Sequence, residues 1–322
     1  MDPVTHTLVG VGMANAFFRR RFGRETVPVL AIASNLPDLD AAVHLTLDPR
    51  ALLLRRTFGH SVLLLPFWSA GLALALRRLA PRLDFRRLFG LSLLGAAVHL
   101  LFDLINSFGV VLLWPLSDWR PELAIVFIVD LVLTGLLLAP PLLAAIPPLR
   151  RRLAGLSRVS LAGVCAYLLL CGASRLVAGE ALRAAADAPR PEFSYVFPEP
   201  LGPHRWRGVV RESDTYRLYL IHPFSWRVDL EKSVRTSAGD PRVQAVLRTD
   251  LGRSLSRFFK ASVWTVRDLP GGAARVSVHD LRFVTLVLRR APIFGYSFLV
   301  DGAGRVEYDP TPLLGDRPPE PP

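Results

Sequence analysis

The stretch HLLFDLINSFG, residues 99–109, decides how the chain is read. His99 and Asp103 interrupt a nearly continuous apolar run and stand four residues apart. On a helix that spacing puts them on one face, one turn apart, with Cβ atoms about 5–6 Å from each other. Inside a membrane a polar pair is costly and has either a functional partner or a buried hydrogen bond to make. The remainder of the chain has to decide between a structural pair and a metal site.

Composition points to a membrane. Of 322 residues 51% are hydrophobic and 20% charged, with a mean hydropathy of +0.34. Ordinary soluble proteins reach about 45–50% apolar residues even when glycine is included. The charge is 39 − 27 = +12, mostly from arginine. Such an excess can serve nucleic acid, but arginine clusters flanking apolar segments mark cytoplasmic loops, so nucleic acid is not the expected partner. The two cysteines, Cys165 and Cys171, lie six apart in one apolar segment and point in different directions on a helix. A disulfide between them is not expected, and two cysteines cannot build a cysteine-based zinc site. MDPVTHTLVG lacks the basic start of a signal peptide, so insertion is expected to rely on internal segments.

Apolar segments fall at 5–18, 27–45, 61–76, 88–107, 123–147 and 159–178. A full span takes about 20 residues, so 5–18 and 61–76 are short and the expectation is four to six crossings. Arg19, Arg20, Arg21 and Arg24 follow the first segment. Arg77, Arg78, Arg82, Arg86 and Arg87 follow the third, and Arg150, Arg151, Arg152 and Arg158 the fifth. If every segment crosses, these loops share one side, which the positive-inside rule makes cytoplasmic. Both termini then lie outside the cell membrane. Trp68, Trp114 and Trp119 read as interfacial anchors.

From about residue 190 the pattern changes. WRGVVRE (206–212), TYRLYLIH (215–222), ASVWTVRDL (261–269), ARVSVHDLRF (274–283) and FGYSFLVD (294–301) read as strands, PGG (270–272) as a turn, and 240–260 as amphipathic helix. The expected fold is thus an α-helical polytopic membrane bundle of about four to six helices (1–186), followed by an α+β, β-rich soluble domain outside the membrane (204–316). A linker at 187–203 joins them, and a Pro-rich tail at 317–322 closes the chain.

The polar residues of the membrane half gather on this topology. His6 opens the first segment, Asp38 and Asp40 lie in PDLD of the second, His60 opens the third, and His99 and Asp103 lie in the fourth. The arginine loops place all six toward the outer side. Imidazole and carboxylate suit a divalent ion, zinc first and manganese or iron next. Two histidines and two aspartates would hold one ion, and His6 with a bridging aspartate a second. Such an ion supplies a nucleophile for hydrolysis of an ester or phosphodiester. Asn106 and Ser107, just past Asp103, are candidates for orienting the ligands, and the second aspartate of PDLD is the candidate general base. Each residue also has a plainer reading. His6 can belong to a polar start beside Thr5 and Thr7, and Asp38 or Asp40 can cap a helix after Pro37. His60 can be an interfacial loop residue, and His99 with Asp103 a helix–helix hydrogen bond. Asp130 in FIVDLVL is a further intramembrane carboxylate. His44 reads as solvated, and His204, His222 and His279 as ordinary residues of the β-rich domain.

MDPVTHTLVG, NLPDLD, RRTFGHS and HLLFDLINSFGVVLLWPLSD, in that order over about residues 1–130, resemble the YdjM-like family of membrane-bound metal-dependent hydrolases. The residue order is also distantly similar to the zinc-dependent phospholipase C and single-strand nuclease superfamily. That resemblance implies ligand roles for His6, Asp38 or Asp40, His60, His99 and Asp103, with Asp103 bridging, and a phospholipid or phosphodiester substrate. The chain departs from that group in lacking, after His99–Asp103, a further H-x-x-x-D or H-x-x-x-E helix and in not starting with Trp, so one or two ions are expected rather than three. The expected function is metal-dependent hydrolysis of an ester or phosphodiester in a phospholipid or lipid-linked phosphate. The rivals are a structural metal with a partner-binding outer domain, and a nuclease. The nuclease would need a basic, aromatic-lined groove, and the segment that follows His60 (61–76) is apolar instead.

Overall fold

The computed structural model describes residues 1–46, 48–186, 191–200, 202–286 and 294–310. It contains two compact units, one of residues 1–46, 54–173 and 201–203, the other of 47–53, 174–200 and 204–322. The expected tail at 317–322 lies outside the described residues.

Helices make the first unit. Helix α1 (Pro3–Met13) starts where Asp2 accepts from the Thr5 amide and Pro3 needs no donor partner. A π-helical turn, Ala14–Phe18, carries it into α2 (Arg19–Phe22), which stops at Gly23 with φ 94°. Helix α3 (Thr26–Ala33) is short because Ser34, Asn35 and Pro37 break it, and a 3-10 stretch, Pro37–Thr46, follows. After α4 (Ala51–Leu54), all but its last residue in the other unit, and a 3-10 turn at Phe58–His60 come α5 (Leu65–Leu76) and α6 (Phe85–Leu104). Asp130 caps α7 (Leu131–Leu143), and α8 (Pro147–Arg150) and α9 (Leu153–Ala185) complete the helices of this half. Leu30, Leu88 and Leu133 are fully buried in the shared core. Close packing of α6 on α3 depends on Gly95, where a Cβ would stand 2.7 Å from Ala33 Cβ.

Fewer helices are long and apolar enough to span a membrane than the apolar runs suggest. Only α6, with 20 residues, and α9, with 33, are long and apolar enough to cross a membrane among the described residues. Ala51–His60 and Leu65–Leu76 make a third if the pair, bent by 76°, is one broken span. The run 27–45 is cut by its own Pro37, and 123–147 becomes helical only at Leu131. The arginine loops do meet at one end of the unit. Arg87 lies over the Phe22 ring at 5.2 Å, the Arg82 amide donates to Glu25, and Arg19, Arg20 and Arg24 face Arg150 and Arg151 across a cleft. Helix α6 begins beside these arginines and carries His99 and Asp103 near its other end.

The second unit has two four-stranded antiparallel sheets. One is ordered β1-β2-β3-β4, with β1 Phe193–Pro198, β2 Trp206–Glu212, β3 Thr215–His222 and β4 Arg227–Arg235. The other is β5-β6-β7-β8, with β5 Ser262–Asp268, β6 Ala274–Asp280, β7 Gly295–Val300 and β8 Val306–Asp309. Helices α10 (Pro241–Leu247) and α11 (Asp250–Phe258) lie between the sheets in sequence. Two boundaries need correction. The stretch expected to be linker contains β1, whose Phe193 pairs with Arg211 and Pro198 with Trp206. The helical part of the first compact unit runs to Ala173 rather than 186, because Ala178, Ala181 and Leu182 of α9 pack with Val196, Trp206 and Ile221 of the second. Trp206 Nε1 also donates to Ser174 Oγ at 2.9 Å.

Candidate metal centre

The site is built from four short pieces of chain. Helix α1 brings His6, the 3-10 stretch after Pro37 brings Asp38 and Asp40, the turn Phe58–His60 brings His60, and α6 brings His99 and Asp103. The turn can approach PDLD only because residue 59 is glycine. A Cβ there would stand 2.2 Å from the Pro37 carbonyl oxygen and 3.2 Å from Asp40 Cβ.

Donor atoms of Asp38, His60, His99 and Asp103 all lie within 4.8 Å of one another. His60 Nε2 stands 3.1 Å from His99 Nε2 and 3.1 Å from Asp103 Oδ2, and His99 Nε2 is 3.5 Å from the same oxygen. Asp38 Oδ1 is 3.9 Å from both imidazole nitrogens. Ligands at about 2.0–2.1 Å around a tetrahedral zinc are about 3.3–3.4 Å apart, so these spacings fit one ion with little movement.

The outer nitrogens of the two rings settle the tautomers. His99 Nδ1 is 2.7 Å from the Ser34 carbonyl oxygen, which only accepts, so Nδ1 carries the proton. His60 Nδ1 is 2.9 Å from Asp40 Oδ2 and donates to that carboxylate. Neutral rings protonated at Nδ1 have bare lone pairs at Nε2. Two such lone pairs 3.1 Å apart, beside the Asp103 carboxylate, repel unless a cation lies among them. Backing of a histidine by a carboxylate or carbonyl is also the usual support for a metal ligand. Both oxygens of Asp38 are buried without a hydrogen-bond partner, which an added cation would correct.

The expected residues divide in their placement. Asp40 is fully buried, and its Oδ2 accepts from the Thr57 amide at 3.0 Å as well as from His60, so it stands behind a ligand rather than among the four donors. His6 also stands outside that group. Its ring stacks on His99 with centroids 3.7 Å apart, and its Nε2 is 3.2 Å from the other Asp103 oxygen, Oδ1, which the Met1 amino group also contacts. Asn106 Oδ1 accepts from Arg56 Nη1 at 2.9 Å and from the Phe108 amide. Ser107 is buried and, among the described residues, stands apart from this network. His44 is exposed. Asp130 is buried, caps α7 and accepts from the Tyr167 hydroxyl at 2.7 Å. Cys165 and Cys171 are free thiols.

Sequence reading missed Arg56. Its side chain is buried, its Nε forms an ion pair with Asp103 Oδ2 at 2.7 Å, and its guanidinium lies 4.7 Å from the Phe108 ring centroid. Its backbone sits at φ 56°, an uncommon conformation for a residue with a side chain, and such strain clusters at functional sites. The signal was the RR of RRTFGHS, two arginines at the head of an apolar segment away from the large basic loops. Arg55 lies beside it, 4.0 Å from Asp38, and the Arg120 guanidinium donates to the Arg55 carbonyl oxygen at 3.1 Å. Three arginines thus surround a site of three carboxylates.

The model of the YdjM inner membrane protein family matches residues 1–180, which contain the whole of this site. The chain belongs to the YdjM inner membrane protein family. It is 27% identical over 124 residues to YfhP of Bacillus subtilis (strain 168), described as an uncharacterized protein. That match covers 36% of this chain and 38% of YfhP, so the chain spans well under half of that relative. No solved structure matches the chain significantly. Membership agrees with the long apolar helices α6 and α9 and gives the buried Asp/His cluster its setting, a protein of the inner membrane.

Proposed function

We propose that this YdjM-family chain is a membrane-bound metal-dependent hydrolase acting on an ester or phosphodiester, with a phospholipid or lipid-linked phosphate as substrate. The observation that carries the reading is the pair of bare imidazole nitrogens 3.1 Å apart against Asp103, with the unpartnered Asp38 carboxylate beside them. His60, His99 and Asp103 would hold the first ion, zinc by its donor set, with Asp38 Oδ1, 3.9 Å from both imidazole nitrogens, on the side left open to water. His6 and Asp103 Oδ1 would offer donors to a second, in place of the Met1 amino group that contacts Oδ1, making Asp103 a bridge. A bound divalent ion would supply a Lewis acid and an activated water at neutral pH.

The chain's own residues do the remaining work. Asp40 fixes the His60 tautomer, and Ser34 that of His99. Asn106 holds Arg56, and Arg56 holds Asp103. Asp38, whose oxygens have no other hydrogen-bond partner, is the group able to take a proton from the attacking water. Arg55, 4.0 Å from Asp38 and with a buried unpartnered Nε, is suited to phosphoryl oxygens, which favours a phosphate ester over a neutral one. Multi-pass insertion with the metal site and the β-rich unit outside belongs to the same proposal, on the strength of the arginine loops.

The test is hydrolysis of short-chain phospholipids and lipid-linked phosphates by detergent-purified protein loaded with zinc or manganese, next to Asp38→Asn. Turnover that falls at least about a hundred-fold in the variant while metal stays bound supports the reading. Bound metal with no turnover of any phosphodiester or ester would leave a structural ion and remove the hydrolase.

A further inference from the structure

The cleft between the arginine loops is a second polar site, and it shares no residue with the metal centre. It encloses about 910 Å³, the size of a small-molecule pocket. Arg19, Arg20 and Arg24 line one side and Arg150 and Arg151 the other, and among the described residues no carboxylate lines it. Among the described residues Arg20, Arg24, Arg150 and Arg151 pair with no acid. The nearby Glu25 is turned away, accepting from the Arg82 amide at 3.1 Å. Five like charges converging on one cleft repel each other unless an anion joins them.

A local distortion shapes this cleft. The π-helical turn Ala14–Phe18 ends at its rim, and π-turns inside α-helices collect at functional sites. That turn frees the Ala16 carbonyl oxygen, which accepts from Arg158 Nε at 3.0 Å, and it places the buried Asn15 in the cleft wall, where Asn15 Oδ1 takes Arg19 Nη1 at 3.1 Å. Asn15 thereby aims one arginine while the other four remain uncommitted. The rest of the lining is apolar, including Pro141 and Leu153. Guanidinium forks above an apolar floor suit a phosphate attached to hydrocarbon.

We propose that this cleft binds a phosphate-bearing anion, filled in the membrane by the headgroup of an anionic phospholipid. The inference does not depend on the hydrolase reading. Removing charge should weaken binding by about five-fold per arginine, and salt should weaken it further.

The experiment reads lipid retention by native mass spectrometry on full-length protein in nanodiscs of mixed phosphatidylglycerol and phosphatidylcholine. It compares wild type with a variant carrying Arg20→Gln, Arg24→Gln, Arg150→Gln and Arg151→Gln, and with the four-fold Arg→Lys variant at the same positions. Calorimetric titration of inorganic phosphate and pyrophosphate into protein in phosphatidylcholine nanodiscs runs alongside. Preferential retention of phosphatidylglycerol, lost in the Gln variant and largely kept in the Lys variant, supports the lipid source. Phosphate or pyrophosphate binding that the Gln variant loses, without a lipid preference, supports the phosphate site with a soluble ligand. Equal retention of both lipids by wild type with no phosphate binding overturns the proposal. So does an unchanged preference in a Gln variant of normal helix content. If the Gln variant misfolds, the wild-type preference must still fall steeply with salt, and a salt-independent preference would equally refute it.

Discussion

Asp40 is the sharpest test of how the metal centre is supported. It is fully buried, accepts from His60 Nδ1 at 2.9 Å and from the Thr57 amide at 3.0 Å, and does not belong to the four-donor group. In Asp40→Asn the amide oxygen can take the place of Oδ2 and still accept both hydrogen bonds, since the reverse orientation would set NH₂ against two donors. The His60 tautomer therefore survives, and only the negative charge behind the ring is lost. Partners of this kind are worth about 10- to 100-fold in metal affinity, and loss of charge alone belongs at the lower end, about ten-fold or 1.4 kcal/mol. Asp40→Ala removes both bonds, releases the ring and leaves a buried amide without an acceptor. It should cost about a hundred-fold in affinity and about 1–3 kcal/mol in stability. Competition against a chelator of known zinc affinity, with thermal unfolding in parallel, reads both quantities. Wild-type affinity in Asp40→Ala would refute the reasoning, because Asp40 would then be a cap and nothing more. An Asn variant worse than the Ala variant would refute the tautomer argument.

Two further outcomes concern the β-rich unit. Arg207 is fully buried, with Nη1 2.6 Å from Glu199 Oε1 and Nη2 3.0 Å from the Arg282 carbonyl oxygen. Arg207→Met should destabilise this unit by about 3–5 kcal/mol by stranding Glu199, and the double variant with Glu199→Leu should recover most of that. Denaturant unfolding followed by tryptophan fluorescence would show it. His279 on β6 is lowered to about 4, by burial first and by Lys232 as well, against an opposing pull from Asp280. The folded form therefore stays neutral while the unfolded form takes a proton near pH 6.5. Stability should be flat above about pH 6.5 and fall as the pH drops toward 4, by at most about 3 kcal/mol and less for solvent reaching this partly exposed ring. Histidine NMR titration, with His279→Gln to assign the resonance, checks the pKa.

Much of this molecule could be read before its structure, and the failures have physical causes. Strands β2 and β3 show because their apolar residues alternate or crowd between turn residues. Strand β4 was hidden because RVDLEKSVR is charged on both faces, as an edge strand can be, and its charges guard an unpaired edge. Strand β1 was hidden by the prolines around FSYVFP, which imitate a linker. In the helical half apolar content was clear and continuity was not. Pro37 and Asp130 each interrupt a run that hydropathy alone would make one span. His60, His99 and Asp103 stood out as polar residues in apolar surroundings. Arg56 did not, because an arginine at the head of a segment reads as topology until the backbone is seen turning it inward.

The central claim is that the Asp/His cluster holds a metal ion. The direct measurement is elemental mass spectrometry on detergent-purified wild type, His99→Ala and Asp103→Asn, with helix content recorded for each. The account predicts about one or two equivalents of zinc, manganese or iron in wild type, lost in both variants while the helices persist. Wild type free of metal even after incubation with divalent ions, with variants that are merely less stable, would contradict it and leave His99 and Asp103 a buried structural pair.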